Sequence, residues 1–172
     1  MDSSATTLET LETRTGFRFL VRPVVEADAQ PLAHFFASVS DDDRRFRFLS
    51  SAPAVTSAQL HDMTHCDHHH RENFLAFAPD SNEIIAAGTL AADASLDVGE
   101  VAISIRSGFK GRGIGWTLLQ YLADQAKARG VKRLQSIESR QNHAAIDLER
   151  EQGFVARELE GDPSLMLLER TL

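Results

Sequence analysis

Residues 99–130, GEVAISIRSGFKGRGIGWTLLQYLADQAKARG, constrain the fold more than any other stretch of the chain. Val101, Ile103 and Ile105 alternate with Glu100, Ala102 and Ser104, the period of a strand whose two faces differ. Gly111, Gly113 and Gly115 break that run, and Ile114, Leu118, Tyr121, Leu122 and Ala126 resume at helical spacing. Lys127 and Arg129 suit the negative end of such a helix, and Gly130 its C-terminal cap. A strand must therefore become a long helix within a few residues, through glycines that reach backbone conformations closed to residues with a Cβ. A helix entered this way points unpaired amides and its positive dipole end into the turn. With Lys110 and Arg112 beside it, the turn suits a phosphate or pyrophosphate.

Two familiar phosphate loops do not fit. A nucleoside triphosphate loop needs Lys and then Ser or Thr after its last glycine, a region occupied here by Ile114, Gly115 and Trp116. The dinucleotide fingerprint would put glycine where Trp116 stands, and it opens a chain's first strand–helix unit instead of lying mid-chain. A tight turn that binds nothing stays open on the glycines alone.

The flanking sequence alternates between strand and helix periods. Residues 17–23 read as a strand ending at Pro23, and residues 24–39 as a helix with Leu32, Phe35, Phe36 and Val39 on one face. DDDRRFRFLSSAP is a charged segment punctuated by aromatics, in which Phe46 and Phe48 are read as core anchors and Arg44, Arg45 and Arg47 as solvated, in preference to a segment lining a substrate entrance. Thr56 or Ser57 caps a short helix through about residue 64. Residues 73–79 and 83–93 form a strand pair across the turn residues PDSN. Strands follow at 99–106 and 133–139, then a helix from an Asn142 cap to Gly153, then strands at 154–160 and 164–172. The expected architecture is a mixed α/β domain spanning residues 16–172, preceded by a frayed polar tail over 1–15.

Composition narrows the partners. A formal charge of -7 argues against a nucleic-acid partner, and no run is long enough for a membrane span. Cys66 is the single cysteine, so no internal disulfide is possible; without a signal peptide the expectation is a cytoplasmic protein.

ISIRSGFKGRGIGWTLL (103–119) resembles the acyl-coenzyme A signature of the GNAT superfamily of N-acetyltransferases, with Lys110 at its Gln/Arg position. NHAAIDLEREQGF (142–154) resembles that superfamily's second motif. VRPVVEADAQPLAHFFASVSDDDRRFRFLS, LHDMTHCDHHHRENFLAFA and GEVAISI are similar to the acetyltransferase domain of bacterial Pat-type protein lysine acetyltransferases. The resemblance implies the GNAT fold, a mostly antiparallel twisted sheet with one splayed parallel pair at 99–105 and 133–139. It also implies acetyl-CoA as cosubstrate in that opening. Main-chain groups of Ile103, Ser104 and Ile105 would meet its acetyl and pantetheine parts. Lys110, Gly111, Arg112, Gly113, Ile114, Gly115 and Trp116 would hold the pyrophosphate, and Asn142 would meet the pantetheine arm.

Acetyl transfer to an amine sets its own demands. An alkyl ammonium, with pKa about 10, cannot attack a thioester until it loses a proton. Glu100, at the start of the coenzyme strand, stands where the resembling lysine acetyltransferases keep their catalytic glutamate and is assigned as general base. The family's usual motif tyrosine is replaced by Glu149, which is the candidate proton donor to the leaving thiolate unless water serves. His65, His68, His69 and His70 crowd one segment, but adjacent histidines diverge, so no metal is expected. The acceptor is expected to be a primary amine, with a protein lysine favoured over a small amine. A non-catalytic acyl-CoA-binding module and a homodimer stay open.

Overall fold

In the computed structural model, which describes residues 7–50 and 52–172, eight strands form one sheet in the order β1-β2-β3-β4-β5-β6-β8-β7. They are β1 (Glu9–Glu12), β2 (Arg18–Pro23), β3 (Arg71–Phe77), β4 (Ile84–Ala92), β5 (Val98–Ile105), β6 (Arg133–Ser139), β7 (Val155–Leu159) and β8 (Asp162–Thr171). Every neighbouring pair is antiparallel except β5 with β6. Five helices complete the fold: α1 (Ala29–Ala37), α2 (Asp41–Phe48), α3 (Ser57–Thr64), α4 (Ile114–Ala128) and α5 (His143–Glu151).

The period of two in β3 divides the core. Phe74 and Ala76 face the cluster that α4 fills with Leu118, Leu119 and Leu122. Leu75 and Phe77 face the opposite side, where α1 supplies Leu32, Phe35 and Phe36 and α3 supplies Met63. Pro31 is the third residue of α1, where its missing N–H costs no helical bond. Thr56 caps α3 by accepting from the Gln59 amide at 3.1 Å.

Two sequence expectations need correction. The tail assigned to residues 1–15 contains β1, which pairs with β2 through Leu11↔Phe19 and packs Leu11 on the core. One inward apolar side chain in four residues is too little for a periodicity to register. Residues 1–6 of that tail lie outside the described residues. The charged segment after residue 40 is a helix, α2. Ser40 Oγ accepts from the Asp43 amide at 3.1 Å, and Asp41, Asp42 and Asp43 occupy its positive end. Arg44 pairs with Asp41 at 2.6 Å and Arg45 with Asp42 at 3.0 Å, one turn apart. This helix lies against β5 and β6, so Phe46 and Arg47 are turned toward the centre of the molecule.

Candidate active site

The parallel pair is short. Val98↔Arg133, Gly99↔Leu134 and Glu100↔Gln135 are in register, and beyond them β5 and β6 part. Each keeps its outer partner, β5 as far as Ile105↔Ala86 on β4 and β6 as far as Ser139↔Leu165 on β8. The edge of β5 from Val101 to Ile105 therefore faces an opening instead of a strand. A cavity of about 420 Å³ fills that opening, walled by α2 and by the facing ends of α4 and α5. An unpaired strand edge offers amides and carbonyls to an extended chain in the way a missing strand would.

The glycine turn closes one end. Gly113, with φ +82°, is the N-cap of α4, a left-handed conformation that an L side chain adopts only under strain. Gly115 lies against the middle of α5; a Cβ there would come within 3.2 Å of Ile105 Cδ1 and 3.3 Å of Leu148 Cδ1. Gln152 Nε2 donates to the Trp116 carbonyl at 2.6 Å, fastening α5 to α4. Among the described residues, the main-chain amides from Gly111 to Trp116 have no hydrogen-bond acceptor. Six bare amides at the positive end of a fifteen-residue helix make a strong anion cradle. Lys110, beside it, donates to the Asp43 carboxylate of α2 across the mouth of the cavity.

Deeper in, two carboxyl groups share the wall. Glu138 comes from β6, on the inward face that also carries Leu134 and Ser136, and Glu149 from α5, one turn after buried Ile146. Ser136 Oγ donates to Glu138 Oε1 at 2.9 Å, and Asn142 Nδ2 donates to Oε2 at 3.3 Å. Glu149 is 5% exposed, and its Oε2 has no hydrogen-bond partner among the described residues. Burial raises the pKa of both, and the Glu138 charge raises Glu149 further, so the pair favours holding a proton. Opposite them, Arg47 Nη2 donates to Thr89 Oγ1 at 3.1 Å, and the Thr89 hydroxyl in turn donates to Asn73 Oδ1. Burial pulls the Arg47 guanidinium down from its ordinary value, and the charges of Glu100 and Glu138 oppose that. Arg47 is therefore not a solvated arginine, and neither is Arg44, whose side chain is 11% exposed; Phe46 lines the cavity instead of anchoring the core, while Phe48 packs on Phe36 at 5.2 Å.

The cavity brings together Ile103, Ser104, Ile105, Lys110, Gly111, Gly113, Ile114, Gly115, Trp116, Asn142 and Glu149 of the residues expected from sequence. Two expected residues do not line it. Arg112 is folded outward over Phe109, 4.7 Å from that ring's centroid, and over Phe17 at 5.6 Å. Glu100 is exposed at the apex of the opening, opposite Gln135, on the face of β5 that also carries Ala102 and Ser104. Asn142 is committed at both ends, since its Oδ1 accepts from the Ala145 amide at 3.4 Å while its Nδ2 serves Glu138. The histidine cluster does not converge: His65 stacks on His61, His68 meets Glu72 at 2.9 Å, and His70 meets Asp67 at 3.2 Å. Three amides on Asp67, from His69, His70 and Arg71, hold that carboxyl far below its ordinary pKa. Cys66 is half-buried, and desolvation pushes its thiol up, the wrong direction for a nucleophile.

Sequence reasoning missed Glu138 and Arg14 and set aside the segment of Asp43 and Arg47 in favour of a core-and-surface reading, yet all four line the cavity. For Glu138 a signal existed, because a period of two puts it with Ser136 on the strand face that Leu134 turns into the core.

Comparison with known proteins agrees with this geometry. The profile of the acetyltransferase (GNAT) family matches residues 26–154. An acetyltransferase of Pseudomonas aeruginosa is 28% identical over 157 residues, covering 90% of this chain and 84% of that protein. The crystal structure of the GNAT domain of S. lividans PAT superposes with a TM-score of 0.88 at 26% identity, covering 96% of this chain and 97% of the other. A cAMP-binding acyltransferase from Mycobacterium smegmatis shares the fold, with a TM-score of 0.68 at 22% identity over 98% of this chain and 48% of that one.

Proposed function

The chain belongs to the GNAT acetyltransferase family, and on that premise we propose that its cleft seats acetyl-CoA and passes the acetyl group to the side-chain amine of a protein lysine. The observation that carries this reading is the continuity of one cleft from six unpartnered amides at the head of α4 to the unpaired edge of β5. The amides suit a diphosphate, and the strand edge suits the two amide groups of a pantetheine arm, so the donor set fits the coenzyme at both ends. The choice of a lysine acceptor is supported by the likeness to the GNAT domain of S. lividans PAT and by the flanking motifs.

The reaction forms an N–C bond and breaks the C–S bond of the thioester. We assign Glu100 as the base that receives the ammonium proton, directly or through a water. Arg47 lies within electrostatic reach of Glu100 and lines the cavity beside the free β5 edge. A main-chain amide on the free β5 edge between Ile103 and Ile105 stabilises the developing oxyanion. The leaving thiolate, with an ordinary pKa of about 8.5, takes a proton from Glu149, whose buried site keeps it protonated, and the second proton that the nitrogen loses as the amide forms replaces the one Glu149 gave.

Release of free thiol from acetyl-CoA, measured with and without amines, tests the activity. Mass spectrometry of a lysate incubated with labelled acetyl-CoA and the purified protein tests the acceptor. Label on lysine side chains is the expected result. Label confined to small amines would replace the acceptor class, and coenzyme binding without thiol release would reduce the protein to a binding module.

A further inference from the structure

Three cations surround the phosphate end of the cleft, and they are not equivalent. Lys110 is bound to Asp43, and Arg112 lies outside the cavity over Phe109. The third is Arg14, from the turn between β1 and β2, in the segment read from sequence as a frayed tail. Its guanidinium lies over the Trp116 ring, 4.1 Å from the centroid, and both residues line the outer end of the cleft with Asp147 and Glu151. Arg14 Nη2 is 3.9 Å from Glu151 Oε2, with both side chains 62% exposed, a loose pair of the kind worth little in water.

The turn that carries Arg14 is built to stay there. Thr13 N donates to the Phe17 carbonyl at 2.8 Å, and Phe17 N returns a bond to Thr13 Oγ1 at 3.1 Å. Gly16, with φ +92°, closes the turn by donating to the Thr13 carbonyl at 3.0 Å. Thr13 is 4% exposed and packs against the glycine turn, so that a Cβ on Gly113 would lie 3.4 Å from Thr13 Cβ. The N-terminal hairpin is thereby a wall of the coenzyme site, and the indole beneath Arg14 holds the guanidinium over the opening by a cation–π contact.

Coenzyme A carries, besides its diphosphate, a phosphate monoester on the ribose of its adenosine end. That group is close to a dianion at neutral pH and binds best to a planar bidentate donor. Resting on the coenzyme reading above, we propose that Arg14 recognises this ribose phosphate, while the amides of residues 111–116 take the diphosphate. Asp147 and Glu151 face the same space and repel an anion, so Arg14 is the group that makes the outer end of the cleft receptive to one. Binding trades the loose Glu151 contact for a charge-assisted pair.

The test compares coenzyme A with its dephospho form, which lacks only the ribose phosphate, by titration calorimetry on the wild type and on Arg14→Ala. Quenching of Trp116, the single tryptophan, gives a second readout. The wild type should bind coenzyme A at least about tenfold more tightly than the dephospho form. Arg14→Ala should lose that preference by weakening on coenzyme A alone. Equal wild-type affinity for the two compounds, a preference that survives Arg14→Ala, or equal weakening on both would overturn the assignment while leaving the coenzyme site intact. Failure of the wild type to bind either compound would remove the coenzyme reading, and this assignment with it.

Discussion

Glu149→Gln should make the protein more stable, and increasingly so as pH rises. The Glu149 carboxyl is buried, lacks a partner for Oε2 and faces Glu138, and both circumstances raise its pKa. Unfolded, it would ionise at the ordinary value near 4.3. Because the folded pKa is the higher one, the group's contribution is complete below the unfolded value and drains away as pH climbs toward and through the folded value. Each pH unit inside that window costs the wild type up to about 1.4 kcal/mol. Glutamine keeps the shape, has no proton to lose and can donate its amide to Glu138. Allowing for the proton being shared across the pair, the gap between variant and wild type should widen by ~2 kcal/mol from pH 5 to pH 7. For a chain of this size that corresponds to roughly 4–8 °C in Tm. Thermal and urea unfolding of both proteins at pH 5, 6, 7 and 8 reads the effect, with other titrating groups common to both. A gap constant across pH would show that Glu149 is already ionised in the folded protein throughout this range, as it is in the unfolded chain, and the shared-proton picture of the pair would fall.

Glu100→Gln should lower turnover about 10²-fold at neutral pH without weakening coenzyme binding; equal thiol release by variant and wild type from pH 6 to 9 would remove Glu100 from the mechanism. Gly113→Val should abolish coenzyme binding, because φ +82° is strained for an L side chain by about 1–2 kcal/mol and the added carbons screen the amides from the phosphates; unchanged affinity by calorimetry would make the loop only a turn. Asp43→Asn should tighten coenzyme binding several-fold by releasing Lys110 to the diphosphate, and weaker binding would mean that the ion pair organises the site instead of competing with it.

Much of the frame was legible because it rests on period and turn chemistry. The spacing of Ile114, Leu118, Tyr121 and Leu122 locates α4 within two residues at either end, and the Asn142 cap with the Gly153 stop locates α5. Alternation in 101–105 gave β5, and the glycines fixed where an anion could reach the backbone. Elements that gain little by burying side chains left no such trace. α2 buries none of its residues outright and is held by the Ser40 cap, three aspartates at its positive end and two ion pairs one turn apart. Those are local electrostatic devices, and a search for apolar faces passes over them.

The candidate site was harder to read for a different reason, which is that its charges come from elements distant in sequence. A net charge of -7 describes the chain and says nothing about a cleft where Arg14, Arg47 and Lys110 meet Asp43, Glu138 and Glu149. Lys110 and Asp43 lie on different elements, and only the placement of α2 over the splayed strands makes them partners. The amides behave differently from these side chains. They follow directly from glycines at 111, 113 and 115 followed by a helix, and they have no competing acceptor among the described residues. The cations are held in the free protein by Asp43 or over Trp116, so their contribution depends on an exchange of partners. On the coenzyme reading, a cleft so divided would take its anion affinity from the backbone, which the sequence announces, and its selectivity among anions from side chains, which only the fold assembles.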